Sequence, residues 1–369
     1  MDAFLLLSYG APECSRDVRP FIENVLRGHN VAFDRSTVIE RIDMVAERYD
    51  RLARESGSFS PLPGECRDLI ALLHEEFRRT ELRFPIYWGN LFWHPYLEET
   101  IAAMSRDGIR HAVAFATSAF PSVPGCRRYR DALESACRAV GPRAPTFQFI
   151  RPCCEHPLFP EAVADRMLEG LAHMELDPDF DPVVGAAKTK IVFTAHSIPE
   201  TDAMLVPYTG ALRAACRRVM ELLRAPIGAV QSCERSHLQP HVQSYTHWEL
   251  VYQSRGGKPG ERWLKPDVVE RLTGIKREER FANVFLVPIG FFCENMETVY
   301  DLDRLAGERC EQLGLHHVRA RAVGASPKII RMIRECVVDA VTNAGVNAGV
   351  NAGKTVCRGD CPSGCCPSG

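Results

Sequence analysis

The sequence predicts an α/β fold of two doubly wound, Rossmann-like domains, each a parallel four-stranded sheet flanked by helices. Three observations support this. Short apolar runs rich in Val, Ile, Leu and Phe alternate with amphipathic stretches of helical period, the pattern that builds parallel sheets. The runs fall into two series of four, and a chain of 369 residues with 46% hydrophobic and 25% charged residues can bury two cores. Several runs also stop abruptly at a polar or turn-forming residue. The clearest is Lys190-Ile191-Val192-Phe193-Thr194-Ala195-His196-Ser197-Ile198-Pro199, a buried strand that ends in a histidine.

Residues 3–9 form the first strand, and Gly10-Ala11-Pro12-Glu13 turns it toward a helix over 15–27, so Tyr9 stands at a strand's carboxyl end. A helix over 36–55, a Pro/Gly/Ser loop over 56–64 and a helix over 65–80 follow. The strand at 84–90 leads to a helix opened by Pro95, a residue suited to a first helical turn. The strand at 111–117 passes through 118–125 into a helix carrying Tyr129 and Leu133, and a strand at 146–150 closes the first series. A helix over 157–174 crosses into the second series. This comprises the strand ending at His196, a helix over 211–223, and strands at 249–253, 283–292 and 317–322. A last helix over 327–340 is expected to pack on the first domain. The domain limits read from this are 1–152 with 327–342, then 153–326, then a tail at 343–369. Residues 227–246 form a polar insertion, and 343–353 repeat Asn-Ala-Gly with Val, a linker without a core-forming face.

Composition narrows the function. A net charge of −2 without long basic runs argues against nucleic acid as a partner. No apolar run is long enough to span a bilayer, and the N-terminus enters a strand directly, so the expectation is a cytoplasmic protein with no transmembrane segment or signal peptide. Fifteen cysteines scattered through a chain of this size do not form the framework of a small disulfide-rich domain.

Ligands of open α/β sheets bind beyond the carboxyl ends of strands, where His196 is released. A second strand of the same design, 283–292, runs into Cys293-Glu294-Asn295-Met296-Glu297-Thr298-Val299-Tyr300-Asp301. If that stretch is helical, Glu294, Glu297 and Asp301 recur at spacings of three and four and form an acidic stripe, which is either a functional face or a solvated one.

Five stretches in order carry a resemblance over roughly residues 3–340. They are Leu5-Leu6-Leu7-Ser8-Tyr9-Gly10-Ala11-Pro12-Glu13, Phe115-Ala116-Thr117-Ser118-Ala119-Phe120, Thr194-Ala195-His196-Ser197-Ile198-Pro199, Tyr252-Gln253-Ser254-Arg255-Gly256-Gly257, and Pro288-Ile289-Gly290-Phe291-Phe292 before Glu297-Thr298-Val299-Tyr300-Asp301. With these the chain resembles the ferrochelatase family, which inserts ferrous iron into a porphyrin to make haem. The resemblance implies a class II chelatase-like architecture and a metal–porphyrin lyase. Its substrates would be a porphyrin and Fe²⁺, and an iron donor or a haem acceptor would be its protein partner.

A free-base porphyrin takes up a metal only as its two inner N–H protons leave and the ring buckles. By the resemblance, His196 abstracts those protons or helps pass iron, and Glu297 lies across the ring, so both are candidate ligands of the incoming Fe²⁺. Glu294 and Asp301 are candidate substrate-binding carboxylates. Where many ferrochelatases read Asp-His before this glutamate, the chain reads Glu294-Asn295, and an asparagine cannot serve as an imidazole base. Tyr9 aligns with a position that is tyrosine in many enzymes acting on coproporphyrin III, which puts that substrate ahead of protoporphyrin IX. A buried tyrosine with a bonded hydroxyl is the alternative reading of Tyr9. The four propionates of coproporphyrin call for several cationic or N–H donors, of which Arg27 is a candidate, and Ser254 and Arg255 are candidate propionate contacts as well.

The tail places Cys357, Cys361, Cys365 and Cys366 at intervals of four, four and one. Some ferrochelatases hold a [2Fe–2S] cluster with three cysteines near the C-terminus and one more distant, and Cys126 occupies that distant place. The resemblance therefore implies a cluster held by Cys126 and three of the four tail cysteines. Zinc bound by the tail alone, or unligated thiols, are the alternatives. The other cysteines read as packing residues. Two rival functions stand beside ferrochelatase: a cobalt or nickel chelatase for a sirohydrochlorin-type ring, and a non-catalytic iron–sulfur or haem-handling protein. Only the Glu294-Asn295 departure supports the second.

Overall fold

The strand Ala3–Ser8 (β1) is buried at every position. Its sequence is apolar on both faces because helices cover both sides of its sheet. Leu5 and Leu7 pack with Leu97, Ile101 and Met104 and with Tyr129 and Leu133 on one face, while Phe4 meets Phe77 edge-on at 5.6 Å on the other. Each such buried Leu or Phe contributes roughly 1.5–3 kcal/mol. The computed structural model of the chain describes residues 1–28, 35–175, 182–224, 245–256 and 260–346.

The chain divides into two compact units, Met1–Cys153 with Ile329–Gly369, and Cys154–Lys328. In the first, β1 is followed by helices Ser15–Gly28 (α1), Arg35–Ser56 (α2) and Leu62–Arg79 (α3), strand Ile86–Asn90 (β2), helix Leu97–Arg106 (α4) and strand His111–Ala116 (β3). A π-helical turn, Val123–Arg127, then opens helix Arg128–Val140 (α5), and Thr146–Phe149 (β4) completes a parallel sheet of order β2-β1-β3-β4.

The second unit runs through helices Leu158–Glu175 (α6) and Pro182–Ala187 (α7), strand Thr189–His196 (β5), helix Leu205–Arg224 (α8), strand Trp248–Gln253 (β6), helix Val268–Arg277 (α9) and strand Asn283–Val287 (β7). A π-helical segment, Thr298–Ala306, follows and continues as helix Gly307–Leu313 (α10), and His316–Arg319 is the last strand (β8). Its order, β6-β5-β7-β8, repeats that of the first sheet, and every pairing is parallel. One face packs on Val268, Leu272 and Ile275 of α9 and on Leu302 and Ala306 of the π segment. On the other, α6 presses close through Gly170, where a Cβ would lie 2.8 Å from the Phe285 ring.

The strand series matches the sequence reading, and several helical details differ from it: helices Pro182–Ala187 and Gly307–Leu313 were unread, the helix expected to open at Pro95 starts at Leu97, and three more follow. Helix α9, unread in the sequence, supplies the crossover that parallel β6 and β7 require. It starts where the Asp267 carboxylate accepts the backbone N–H groups of Val269 and Glu270. Helix α8 begins at Leu205, with Pro207 in its first turn, where a missing N–H is tolerated. The last helix, Pro327–Val346 (α11), extends past 343, where the sequence had the linker begin. The remainder of that linker and most of the 227–246 insertion lie outside the described residues. No helix among the described residues is long and apolar enough to cross a membrane.

Candidate functional site

In the second sheet the connections run outward in opposite directions from β5 and β7, so the topological switch point lies between these strands. His196 is the last residue of β5, and the chain leaving β7 brings Glu297 back beside it. Gly290 allows this return: its N–H donates to the Thr194 carbonyl at 3.0 Å. A Cβ at Gly290 would sit 2.5 Å from that of Ala195, so any larger residue would push the loop off the strand.

The imidazole Nε2 of His196 lies 3.5 Å from Oε1 of Glu297, with both side chains about a third exposed (35% and 37%). Nδ1 lies 2.5 Å from the Ser197 carbonyl oxygen. A carbonyl can only accept, so Nδ1 carries the hydrogen and Nε2 is the nitrogen that gains or loses a proton. Burial disfavours the charged imidazole, but the Glu297 charge, its hydrogen bond, the Ser197 carbonyl and Asp301 together outweigh it and raise the His196 pKa from 6.5 to about 9. The Tyr208 hydroxyl, whose own pKa is driven up chiefly by burial, donates to the His196 carbonyl at 2.8 Å and anchors the strand end.

Strand β6 grips the same segment from the other side. The Gln253 side-chain nitrogen donates to the Glu297 carbonyl oxygen at 3.1 Å. Ser254, held at φ 59°, donates its hydroxyl to Asp301 at 2.5 Å. A left-handed serine is strained, and here the strain accompanies the hydroxyl's contact with Asp301, a carboxylate whose charge acts on His196. Arg255, one residue further, is exposed and has no carboxylate partner among the described residues.

Glu294 behaves differently from the stripe the sequence suggested. It is 5% exposed, and its carboxylate accepts from Arg319 at 2.8 and 3.1 Å, from the Thr298 hydroxyl at 2.7 Å and from the Ala322 N–H at 2.6 Å. Burial would raise its pKa, yet Arg319 and these donors lower it. With its oxygens engaged inside the protein, Glu294 anchors the loop and is not a substrate-binding group. The stripe fails because the helical turn starts only after Asn295, leaving Glu294 outside it. Asn295 makes that start: its side-chain oxygen accepts the Thr298 N–H at 2.9 Å, and its own N–H donates to the Thr298 hydroxyl at 3.0 Å.

Compared with known proteins, residues 1–341 match the sequence family described as Ferrochelatase. The chain belongs to the ferrochelatase family. Among its relatives, the Ferrochelatase of Rhodopirellula baltica is 37% identical, with 90% of this chain and 84% of that one aligned. The Coproporphyrin III ferrochelatase of Nocardia farcinica is 34% identical across 99% and 96%, and that of Mycolicibacterium smegmatis 35% across 91% and 88%. The solved structure of SirB from Bacillus subtilis with Fe³⁺ covers 94% of this chain and 98% of its own at a TM-score of 0.51 and 10% identity, a likeness of fold alone.

By the ferrochelatase resemblance the porphyrin would lie between His196 and Glu297. A flat ring needs about 3.5 Å of clearance on each side, so groups flanking it stand roughly 7 Å apart. In this structure His196 and Glu297 stand 3.5 Å apart as an ion pair, so they would have to separate for a ring to lie between them.

In the first unit, Tyr9 follows β1 at the switch point of the sheet β2-β1-β3-β4. Its half-buried ring meets Phe92 edge-on at 4.7 Å and Phe21 at 6.3 Å. Beneath it the Ser8 hydroxyl donates to the Asn90 side-chain oxygen and accepts from Trp88 Nε1 at 3.1 Å. Arg27 is exposed on α1 and donates to the Asn24 side-chain oxygen at 3.2 Å. Cys126 is buried in the π turn, with its thiol 3.7 Å from the Ser122 carbonyl. Cys357, Cys361, Cys365 and Cys366 lie outside the described residues. Among the described residues no group of three or more His, Cys, Asp or Glu is disposed to hold a metal ion. Sequence reasoning missed Tyr208, Gln253 and Arg319. Gln253 could have been found, since it falls inside a quoted motif at the end of a strand of the same series as His196.

Proposed function

We propose that the chain inserts Fe²⁺ into coproporphyrin III, with His196 and Glu297 working as one proton-accepting pair. The observation that supports this reading is the pair itself, an imidazole and a carboxylate 3.5 Å apart at the carboxyl ends of β5 and β7. Insertion exchanges two pyrrole protons for one Fe²⁺, with no change of iron oxidation state. At neutral pH the imidazole already holds a proton, so the first pyrrole proton is taken by the pair at the Glu297 carboxylate, or at Nε2 once that nitrogen has released its own. Both side chains retain contact with solvent, to which protons can pass. Ser254 and Asp301 extend the polar path away from the imidazole. The same two side chains are the donors available to the incoming Fe²⁺, nitrogen and oxygen ligands suited to a borderline cation.

Coproporphyrin III is favoured over protoporphyrin IX by Tyr9 at the end of β1 and by the names of relatives 34–35% identical over most of the chain. Arg27 and Arg255, both exposed, are the cations proposed for propionates. A [2Fe–2S] cluster would be held by Cys126 and three of Cys357, Cys361, Cys365 and Cys366. Four thiolates suit that cluster type, and Cys126 would supply the one distant from the tail, from a buried place in the π turn. The cluster would be structural or sensory, since no step of insertion transfers an electron.

Anaerobic turnover with Fe²⁺ and each porphyrin tests the substrate. The expected result is a higher kcat/KM with coproporphyrin III, and the reverse ratio would withdraw that substrate. His196→Ala should keep porphyrin binding and lose insertion. Near-normal turnover in that variant would refute the role of the pair.

A further inference from the structure

Gln253 ends β6 and stands in register with His196 on β5. Its backbone carbonyl accepts the N–H of Ser197, the residue after the histidine, at 2.8 Å. Its side-chain nitrogen donates to the backbone carbonyl of Glu297 at 3.1 Å. One residue thus bonds to the chain at both members of the pair.

The side chain is 1% exposed. Because the Glu297 carbonyl can only accept, the amide orientation is fixed with nitrogen toward Glu297. That leaves Oε1 buried without a hydrogen-bond partner among the described residues. A buried amide with half its capacity unmet is less favourable for folding than an apolar side chain of the same volume. Packing alone therefore does not account for glutamine at this position. The nitrogen that is satisfied acts where the chain enters the π-helical segment, at Glu297 itself. Ser254 holds Asp301 four residues on.

We infer that Gln253 is a positioning residue for iron insertion: its amide fixes the Glu297 backbone and thereby sets the Glu297 carboxylate against His196 Nε2. The inference rests on the reading that His196 and Glu297 act as a pair. The Gln253 side chain makes no hydrogen bond to the imidazole or to the Glu297 carboxylate among the described residues, so its effect passes through the backbone.

Two variants of nearly unchanged volume remove the donor: Gln253→Met, which is apolar, and Gln253→Glu, which exchanges the donor for an acceptor. If one fails to fold, the other carries the same measurements. Steady-state insertion of Fe²⁺ into coproporphyrin III, normalised to porphyrin-binding sites, should show kcat lowered about tenfold, the scale of one buried hydrogen bond, with KM for porphyrin unchanged. Normalising to binding sites separates lost positioning from a smaller folded fraction. A crystal structure of the variant should show the His196–Glu297 separation opened beyond about 4 Å, the limit of an ion pair. An unchanged kcat overturns the inference, as does a pair still 3.5 Å apart whatever the rate. Failure of the underlying reading is distinguishable, because it would appear as near-normal turnover in His196→Ala.

Discussion

Glu297→Gln isolates the force that keeps His196 charged. The substitution keeps the shape of the side chain and removes the charge that, with its hydrogen bond, counters burial and lifts the imidazole from 6.5 to about 9. At about 1.4 kcal/mol for each tenfold in proton affinity, that rise corresponds to roughly 3 kcal/mol. Both side chains are about a third exposed, so solvent screening reduces the usable figure to roughly 1–2 kcal/mol. The sign follows from linkage. Below pH 6.5 folded and unfolded chains both hold the proton, and the pair's contribution is fully present. As pH rises the unfolded chain releases its proton first, and the contribution is lost as pH passes through about 9. The parent protein should therefore lose roughly 1–2 kcal/mol of stability between pH 6 and 10 that Glu297→Gln does not lose. Urea unfolding across that range measures it, and NMR titration of the His196 ring should show the variant moving back toward 6.5. Parallel stability curves for the two proteins, or a parent His196 titrating near 6.5, would refute the account of the pair.

Three further outcomes are expected. Arg319→Met leaves the Glu294 and Asp303 carboxylates without their shared partner and should cost about 3–5 kcal/mol in urea unfolding near neutral pH. The deficit should shrink as pH falls, because the lowered pKa of Glu294 contributes stability above the ordinary carboxylate range that is lost on acidification. Asn295→Ala removes the acceptor of the Thr298 N–H and should lower stability by about 1 kcal/mol, read as a drop in Tm. Protein purified without oxygen should be reddish and contain about two irons and two acid-labile sulfides per chain. Cys126→Ser should bleach it, and colourless protein carrying tail-bound zinc indifferent to that change would withdraw the cluster.

The strands were legible because a parallel sheet covered on both faces leaves near-continuous apolar runs, as in the six buried residues of β1. Helix α9 was not, being only ten residues long with Gly274 interrupting its periodicity. At the site, the place of His196 at a strand end could be read from the sequence and Glu297 was singled out by the family resemblance, but their mutual distance could not be read. It depends on how tightly the loop after β7 folds back at Gly290, a fact of backbone approach. Glu294 was misread for a related reason. Helical spacing fixes a face only once the helix start is known, and the partner that removes Glu294 from solvent, Arg319, lies 25 residues away.

The two sheets share one strand order, and the residues that sequence reasoning singled out first, Tyr9 and His196, stand at the same topological place in each, beyond the strand beside the switch point. What differs is what the returning chain brings to that place. After β2 the chain brings Phe92 beside Tyr9, with the Phe92 N–H donating to the Tyr9 carbonyl at 3.1 Å. After β7 it brings a carboxylate, and Asn295 spends its side chain holding that turn in place. An asparagine at this position therefore gives the segment a fixed start. Three groups bond to His196 there: the Tyr208 hydroxyl at its carbonyl, the Ser197 carbonyl at Nδ1 and the Glu297 carboxylate at Nε2.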